Sequence, residues 1–166
     1  MKTAIDVSPS LINRTAIYRI IEDTLVGYPD SPVKILGIPI PRRFVQSRYF
    51  RAMGRRLIAG LLTSPNALLL LLPALRILLR VLTPSRPTLY FDPLYSIFEP
   101  RINKSTVIVL DLTSVTCPQF HNSRVMTLYN AALHRIAHSR CKIVSISEST
   151  KTDLWANLGI APDTVT

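Results

Sequence analysis

Two apolar stretches decide the fold of this chain: Thr106-Val-Ile-Val-Leu-Asp-Leu-Thr113 and Cys141-Lys-Ile-Val-Ser-Ile-Ser147. A helix-like stretch to Ser139 separates them, and a second helical pattern, Glu148-Ser-Thr-Lys-Thr-Asp-Leu-Trp155, follows. Apolar strands that alternate with helices are typical of a parallel sheet with helices on both faces. We therefore predict an α/β fold.

The upstream sequence predicts three further strands in one domain, residues 1–166. They are Thr3–Ser8, Val33–Ile38 and Thr88–Phe91, and the two apolar stretches supply the fourth and fifth strands, Val107–Leu110 and Ile143–Ile146. Asn13 is expected to cap a helix that runs to about Val26. Pro39 and Pro41 are expected to end the second strand, because proline cannot donate a ladder hydrogen bond.

The net charge of +10 comes from one region of the chain. All ten acidic residues lie outside 31–91, whereas ten of the twenty basic residues lie inside that window. Within it, residues 42–82 form a basic, leucine-rich region with a helical pattern. Arg48, Arg51 and Arg55 share one stripe of this pattern, and such a local field attracts an anionic surface. The alternative is that these helices pack in the core and expose a solvated edge.

The most apolar run, Ala67–Leu75, contains Pro73 and is shorter than the roughly 20 residues of a spanning helix. Arg76 and Arg80, one turn apart among leucines, would suit a helix that lies in a membrane interface. With no signal peptide visible, we expect a cytoplasmic protein with a peripheral position on the inner face of the membrane. Two cysteines without a framework spacing agree with a reducing compartment.

Neither a glycine-rich phosphate loop nor a nucleophile elbow is present in the sequence. His134, His138 and Cys141 have spacings of four and three, but Arg135 stands where a zinc helix would need glutamate. We therefore predict no metal site there. His121 is expected to be a surface residue in a loop.

The corner after the last strand has two interpretations. Ser147 or Ser149 can cap the following helix, Thr150 and Asp153 have the spacing of a capping box, and Gly159 can end that helix. Alternatively, these hydroxyls face a crevice and hold a polyol or a phosphate. Asp111, at the end of its strand, is either a turn-former or a ligand group.

Several motifs together resemble family 4 glycosyltransferases, specifically their N-terminal Rossmann-like domain. The resemblance is carried by Thr106-Val-Ile-Val-Leu-Asp-Leu112, Pro118, Ile143-Val-Ser-Ile-Ser-Glu-Ser-Thr-Lys-Thr-Asp-Leu154, Leu158-Gly-Ile160 and, at the start, Ile5-Asp6-Val7 with Thr15-Ala-Ile-Tyr-Arg19. It implies the N-terminal half of a retaining GT-B enzyme that needs no metal or other cofactor. It also implies a role in polysaccharide biosynthesis.

The resemblance also implies the sites and partners. The crevice residues would be Thr15, Asp111, Ser147, Glu148 and Thr150. The acceptor would be a glycan or a lipid-linked molecule, and Arg48, Arg51 and Arg55 would contact an anionic membrane. The nucleotide-sugar would bind to a separate C-terminal domain.

The sequence departs from the family in ways that bear on activity. Leu110 stands where the family has histidine, and Ala16 and Tyr18 replace two glycines. Glutamates eight residues apart, as in the family's donor clamp, do not occur. We therefore expect the chain to be inactive alone. The alternative function is a non-catalytic, membrane-peripheral binding module, whereas nucleic-acid binding is not expected because few aromatic residues accompany the arginines.

Overall fold

The computed structural model describes residues 2–12, 16–45 and 47–166. Its centre is a six-stranded sheet with the order β3-β2-β1-β4-β5-β6. The strands are β1 (Ala4–Asp6), β2 (Val33–Ile35), β3 (Ile38–Ile40), β4 (Thr88–Tyr90), β5 (Thr106–Val109) and β6 (Lys142–Ser145). Neighbouring strands are parallel except for β2 and β3. The predicted α/β class, with a Rossmann-like sheet, is confirmed.

Helices connect the strands and cover both faces of the sheet. Those of the described ranges are α1 (Ser8–Ile12), α2 (Ala16–Gly27), α3 (Arg48–Thr63), α4 (Pro65–Leu82), α5 (Thr113–Thr116), α6 (Ser123–Ala137) and α7 (Glu148–Leu158). A 3-10 segment, Pro93–Phe98, follows β4 and packs on α6. The cap predicted at Asn13 lies outside the described residues.

The predicted second strand was wrong in its length and its end. β2 ends at Ile35, where Leu36 and Gly37, with φ values of 50° and 79°, turn the chain back into antiparallel β3. Pro39 does not end a strand but lies inside β3, opposite Lys34. It is tolerated because β3 is an edge strand, where a missing N–H need not break a ladder. A Cβ at Gly37 would lie 3.0 Å from the Phe98 carbonyl oxygen, so the tight turn also packs closely on its neighbour.

One face of the sheet carries a buried polar network. Glu99 Oε2 accepts hydrogen bonds from Lys34 Nζ and Tyr90 OH, each at 2.8 Å, and from Thr88 Oγ1 at 3.2 Å. Lys34 and Glu99 form an ion pair in which both side chains are almost fully buried. Burial alone would raise the pKa of Glu99, but the bonds and charge of Lys34 outweigh it and lower that pKa.

The strand order creates a switch point between β1 and β4. The chain leaves β1 toward β2 on one side of the sheet and later returns to β4 on the other side. In open α/β sheets, ligands bind in the crevice beyond the carboxyl ends of the strands at such a point. A ligand site is therefore expected beyond the carboxyl ends of β1, β4 and β5.

Candidate ligand-binding crevice

Two cavities lie beyond these strand ends, and Ile12 of α1 lines both of them. We call the first the aspartate cleft; it has a volume of about 400 Å³, and its polar lining includes Asp92, Asp111, His121 and Tyr129. We call the second the arginine groove; it has a volume of about 890 Å³ and is lined by Ser10, Tyr18, Arg19, Arg48, Arg51, Arg55 and Arg56 with a few apolar residues.

The two carboxylates of the cleft follow adjacent strands and each caps a turn. Asp92 Oδ1 accepts a hydrogen bond from the Leu94 N–H at 2.8 Å. Asp111 Oδ1 accepts from the Thr113 N–H at 3.0 Å and from Thr113 Oγ1 at 2.7 Å. Burial, together with the nearby charge of Asp111, raises the pKa of Asp92 to about 6, although the hydrogen bond from the Leu94 N–H acts in the opposite direction. A carboxyl group with this pKa exchanges a proton near neutral pH and can accept hydrogen bonds from ligand hydroxyls.

Asp92 was not singled out from the sequence, and His121 was assigned only to the surface. His121 is exposed, and it lines the aspartate cleft. Asp92 directly follows the third predicted strand, as Asp111 follows the fourth, so the same strand-end signal could have identified it. Leu110, which stands where the family that the sequence resembles has histidine, also lines the cleft.

The corner after β6 is engaged within the protein. Ser147 caps α7, with its hydroxyl accepting from the Thr150 N–H at 3.1 Å, and Gly159 ends that helix with a left-handed φ of 66°, as predicted. The buried Thr150 hydroxyl donates to the Leu110 carbonyl oxygen at 3.1 Å. Of the predicted crevice residues, Asp111 lines the cleft, whereas Ser147, Glu148 and Thr150 are not among its lining residues. Thr15 lies outside the described residues.

Asp6 is a buried carboxyl group at the end of β1 whose role is structural. It accepts hydrogen bonds from the Ser8 hydroxyl at 2.8 Å and the Ser8 N–H at 3.3 Å. The same hydroxyl accepts from the Leu36 N–H at 2.8 Å, so Asp6 joins the end of β1 to the β2–β3 turn. Burial raises the pKa of Asp6 to about 8.

His134 lies in the last turn of α6, and His138 caps the end of this helix. The rings of His134 and His138 stack with centroids 4.1 Å apart. Cys141 is half-buried, and burial raises the pKa of its thiol. Within residues 2–12, 16–45 and 47–166, no three histidine, cysteine or acidic side chains are arranged to hold a metal ion.

The arginine groove is formed where α3 crosses α1 and faces α2. A Cβ at Gly54 would lie only 2.8 Å from Leu11 Cδ1, so α3 approaches α1 as closely as a glycine permits. Arg51 Nη1 donates to the Tyr18 hydroxyl on α2 at 3.2 Å. The structure thus brings the predicted Arg48, Arg51 and Arg55 together with Arg19 from α2. Sequence spacing could not show this, because it relates residues of a single helix.

Comparison of the chain with protein-family models, curated proteins and solved structures gives no match. The family resemblance therefore rests on the sequence motifs alone.

Helix α4 exposes a broad apolar surface beside the groove-forming helix α3. By length and composition Pro65–Leu82 could cross a membrane, and only 17% of this helix is buried in the protein. Its large exposed side chains are Leu70, Leu71, Ile77, Leu78, Val81 and Leu82. The helix is nevertheless fixed to the domain, since Arg76 Nε donates to the Ile97 carbonyl oxygen at 2.7 Å and Arg101 Nη2 donates to the Arg80 carbonyl oxygen at 2.6 Å.

Proposed function

We propose that this domain is the acceptor-side half of a family 4-like glycosyltransferase and that α3 and α4 hold it on an anionic membrane. The observation that carries the proposal is the exposed apolar face of α4 next to the arginine-bearing α3. Helix α3 adjoins the crevice at the switch point, because its Leu62 lines the aspartate cleft. An acceptor presented by the membrane would therefore reach the crevice directly.

The membrane part of the proposal follows from exposure and charge together. Leu70 and Val81 are 83% and 79% exposed, and contiguous apolar surfaces of this kind on a folded domain mark interaction sites. Fully burying one such side chain is worth about 1.5–3 kcal/mol. No acidic residue lies between 31 and 91 to repel lipid phosphates. An interfacial helix with arginines beside its apolar face has these properties.

The acceptor part of the proposal uses the aspartate cleft. Asp92 and Asp111 would accept hydrogen bonds from hydroxyl groups of a glycan or lipid-linked acceptor. The nucleotide-sugar would be supplied by a separate C-terminal domain, and the proposal requires no metal or other cofactor from this chain. The protein would work at the cytoplasmic face of the membrane.

Vesicle flotation tests the membrane part. We expect the protein to float with vesicles of phosphatidylcholine and phosphatidylglycerol, and to float far less with phosphatidylcholine alone. The triple variant Leu70→Gln, Ile77→Gln and Val81→Gln should float far less than the wild type, and so should Arg48→Glu, Arg51→Glu and Arg55→Glu. The matched control is Lys104→Glu, Arg140→Glu and Lys142→Glu, which makes the same charge change at three exposed residues near the amino ends of β5 and β6. If both test variants float like the wild type, the membrane proposal is wrong.

Glycosyl transfer tests the enzymatic part. The chain is mixed with a separately produced donor-binding domain of a family 4 enzyme, a nucleotide-sugar and a lipid-linked glycan. We expect transfer only when both domains are present, and a loss of at least tenfold with Asp111→Asn. The absence of any transfer would contradict an enzymatic role.

The second candidate is a non-catalytic, membrane-peripheral module with the same fold. It is favoured by the leucine at position 110 and by the engagement of the Thr150 hydroxyl inside the protein. It predicts the same flotation result with no transfer activity, so the two assays together separate the candidates.

A further inference from the structure

The arginine groove brings arginines from two helices together in one cavity. Five arginines from α2 and α3 line one cavity of about 890 Å³, whereas a surface-bound helix would spread them over its polar face. Arginine presents a planar fork of donors that matches the oxygen atoms of phosphate. The geometry of the groove therefore suits a discrete polyanion.

The position of the groove agrees with a ligand site. The close contact between Gly54 and Leu11 holds α3 against α1, the helix that directly follows β1. The arginines consequently lie near the carboxyl end of β1, at the switch point. Ile12 lines both cavities, so the groove adjoins the aspartate cleft.

The charge of the groove is weakly balanced by protein carboxylates. In the described ranges, the ion pairs Lys2–Asp30 and Lys34–Glu99 both lie away from the groove. Glu22 is the acid beside it, where its hydrogen bond and charge raise the pKa of the Tyr18 phenol. Among the described residues that line the groove there are five arginines and no acidic residue, and a positive field of this kind favours an anionic ligand.

We infer that the arginine groove binds the phosphate groups of a phosphate ester or diphosphate. The inference rests on the proposed function, because it assigns the acceptor to the phosphorylated compounds. Two sources present this chemistry, a lipid headgroup and a soluble phosphate ester.

Titration calorimetry with inorganic diphosphate, in the absence of vesicles, tests the site. The full chain should bind diphosphate saturably at one site. The variant Arg48→Glu and Arg55→Glu should bind at least tenfold more weakly, because each substitution removes charge-assisted hydrogen bonds to the phosphate and introduces a like charge. The control variant Arg140→Glu and Lys142→Glu should bind within about twofold of the wild type, and circular dichroism should show that all three proteins are folded. Absence of saturable binding, or an equal loss in the control, would overturn the inference.

The source of the phosphate is identified by competition. If soluble diphosphate releases the protein from anionic vesicles, the groove binds the lipid headgroup; if both bind together, the groove takes a soluble phosphate ester. Each result supports the site. The triple glutamine variant on α4 should lose most of its flotation but keep diphosphate binding. Flotation of the wild type without diphosphate binding would leave the membrane proposal standing and remove the phosphate site, and the converse would remove only the membrane proposal.

Discussion

Glu99 is the residue on which the buried polar network depends. Its Oε2 accepts three side-chain hydrogen bonds, and its Oε1 accepts one from the Arg101 N–H at 3.1 Å. The network links β2, β4 and the segment after the 3-10 turn across the strand β1 between them. A single side chain therefore fixes how these parts of the sheet are arranged.

Replacement of Glu99 should destabilise the protein strongly. Glu99→Gln leaves the buried Lys34 ammonium without its counter-charge, and breaking a buried ion pair in this way costs about 3–5 kcal/mol. Urea denaturation followed by circular dichroism measures the change. The double variant Lys34→Met and Glu99→Gln should recover part of the loss. A single variant as stable as the wild type would show that the ion pair is not required.

The buried carboxyl of Asp6 should make stability depend on pH. Because its pKa in the folded state is about 8, above its value in the unfolded chain, the folded protein holds this proton between about pH 4 and 8. The contribution of this proton to the free energy of unfolding is complete below that interval. It is lost as the pH rises through the interval, by up to about 1.4 kcal/mol per pH unit. The stability of Asp6→Asn relative to the wild type should therefore increase from pH 5 to pH 8 in urea denaturation. The control is Asp163→Asn, which removes an exposed carboxylate.

At the scale of the element, α3 contains two glycines with opposite surroundings. A Cβ at Gly54 would meet the buried Leu11 side chain, whereas a Cβ at Gly60 would have no heavy atom within 4 Å. Alanine inside a helix is favoured over glycine by about 0.5–1 kcal/mol. Gly60→Ala should stabilise the protein by that amount, and Gly54→Ala should lower both its melting temperature and its affinity for diphosphate. Equal stabilisation by both substitutions would contradict the close contact between α3 and α1.

The elements also show what could be predicted from the sequence. β1, β4, β5 and β6 lie within two residues of their predicted bounds, since each is a short apolar run with a clear end. β3 could not be predicted, because its presence depends on the positive φ values at Leu36 and Gly37 and on an edge position that only the sheet order reveals. The groove was predicted only in part, because Arg19 reaches it from another helix.

At the scale of the molecule, the basic region and the exposed apolar face of α4 predict two components of vesicle binding. Salt screens charges over about 10 Å at 0.1 M ionic strength but leaves apolar burial intact. Flotation of the wild type with anionic vesicles should therefore decrease with sodium chloride to a residual level. The triple glutamine variant on α4 should lose this residual level at high salt. A wild type released completely by salt would indicate that α4 does not enter the bilayer.

The two outer strands of the sheet have a consequence for behaviour at high concentration. β3 carries Pro39 at its centre, which has no N–H to offer to a further strand. At the opposite edge, Thr166 donates to the Ile143 carbonyl oxygen at 3.1 Å and accepts from the Ser145 N–H at 3.0 Å, so it occupies the ladder positions of β6. Neither edge of the sheet therefore offers a continuous row of free backbone groups with which a further strand could pair. We expect the folded chain to resist fibril formation and thioflavin staining, whereas removal of Val165 and Thr166 should uncover β6 and promote both.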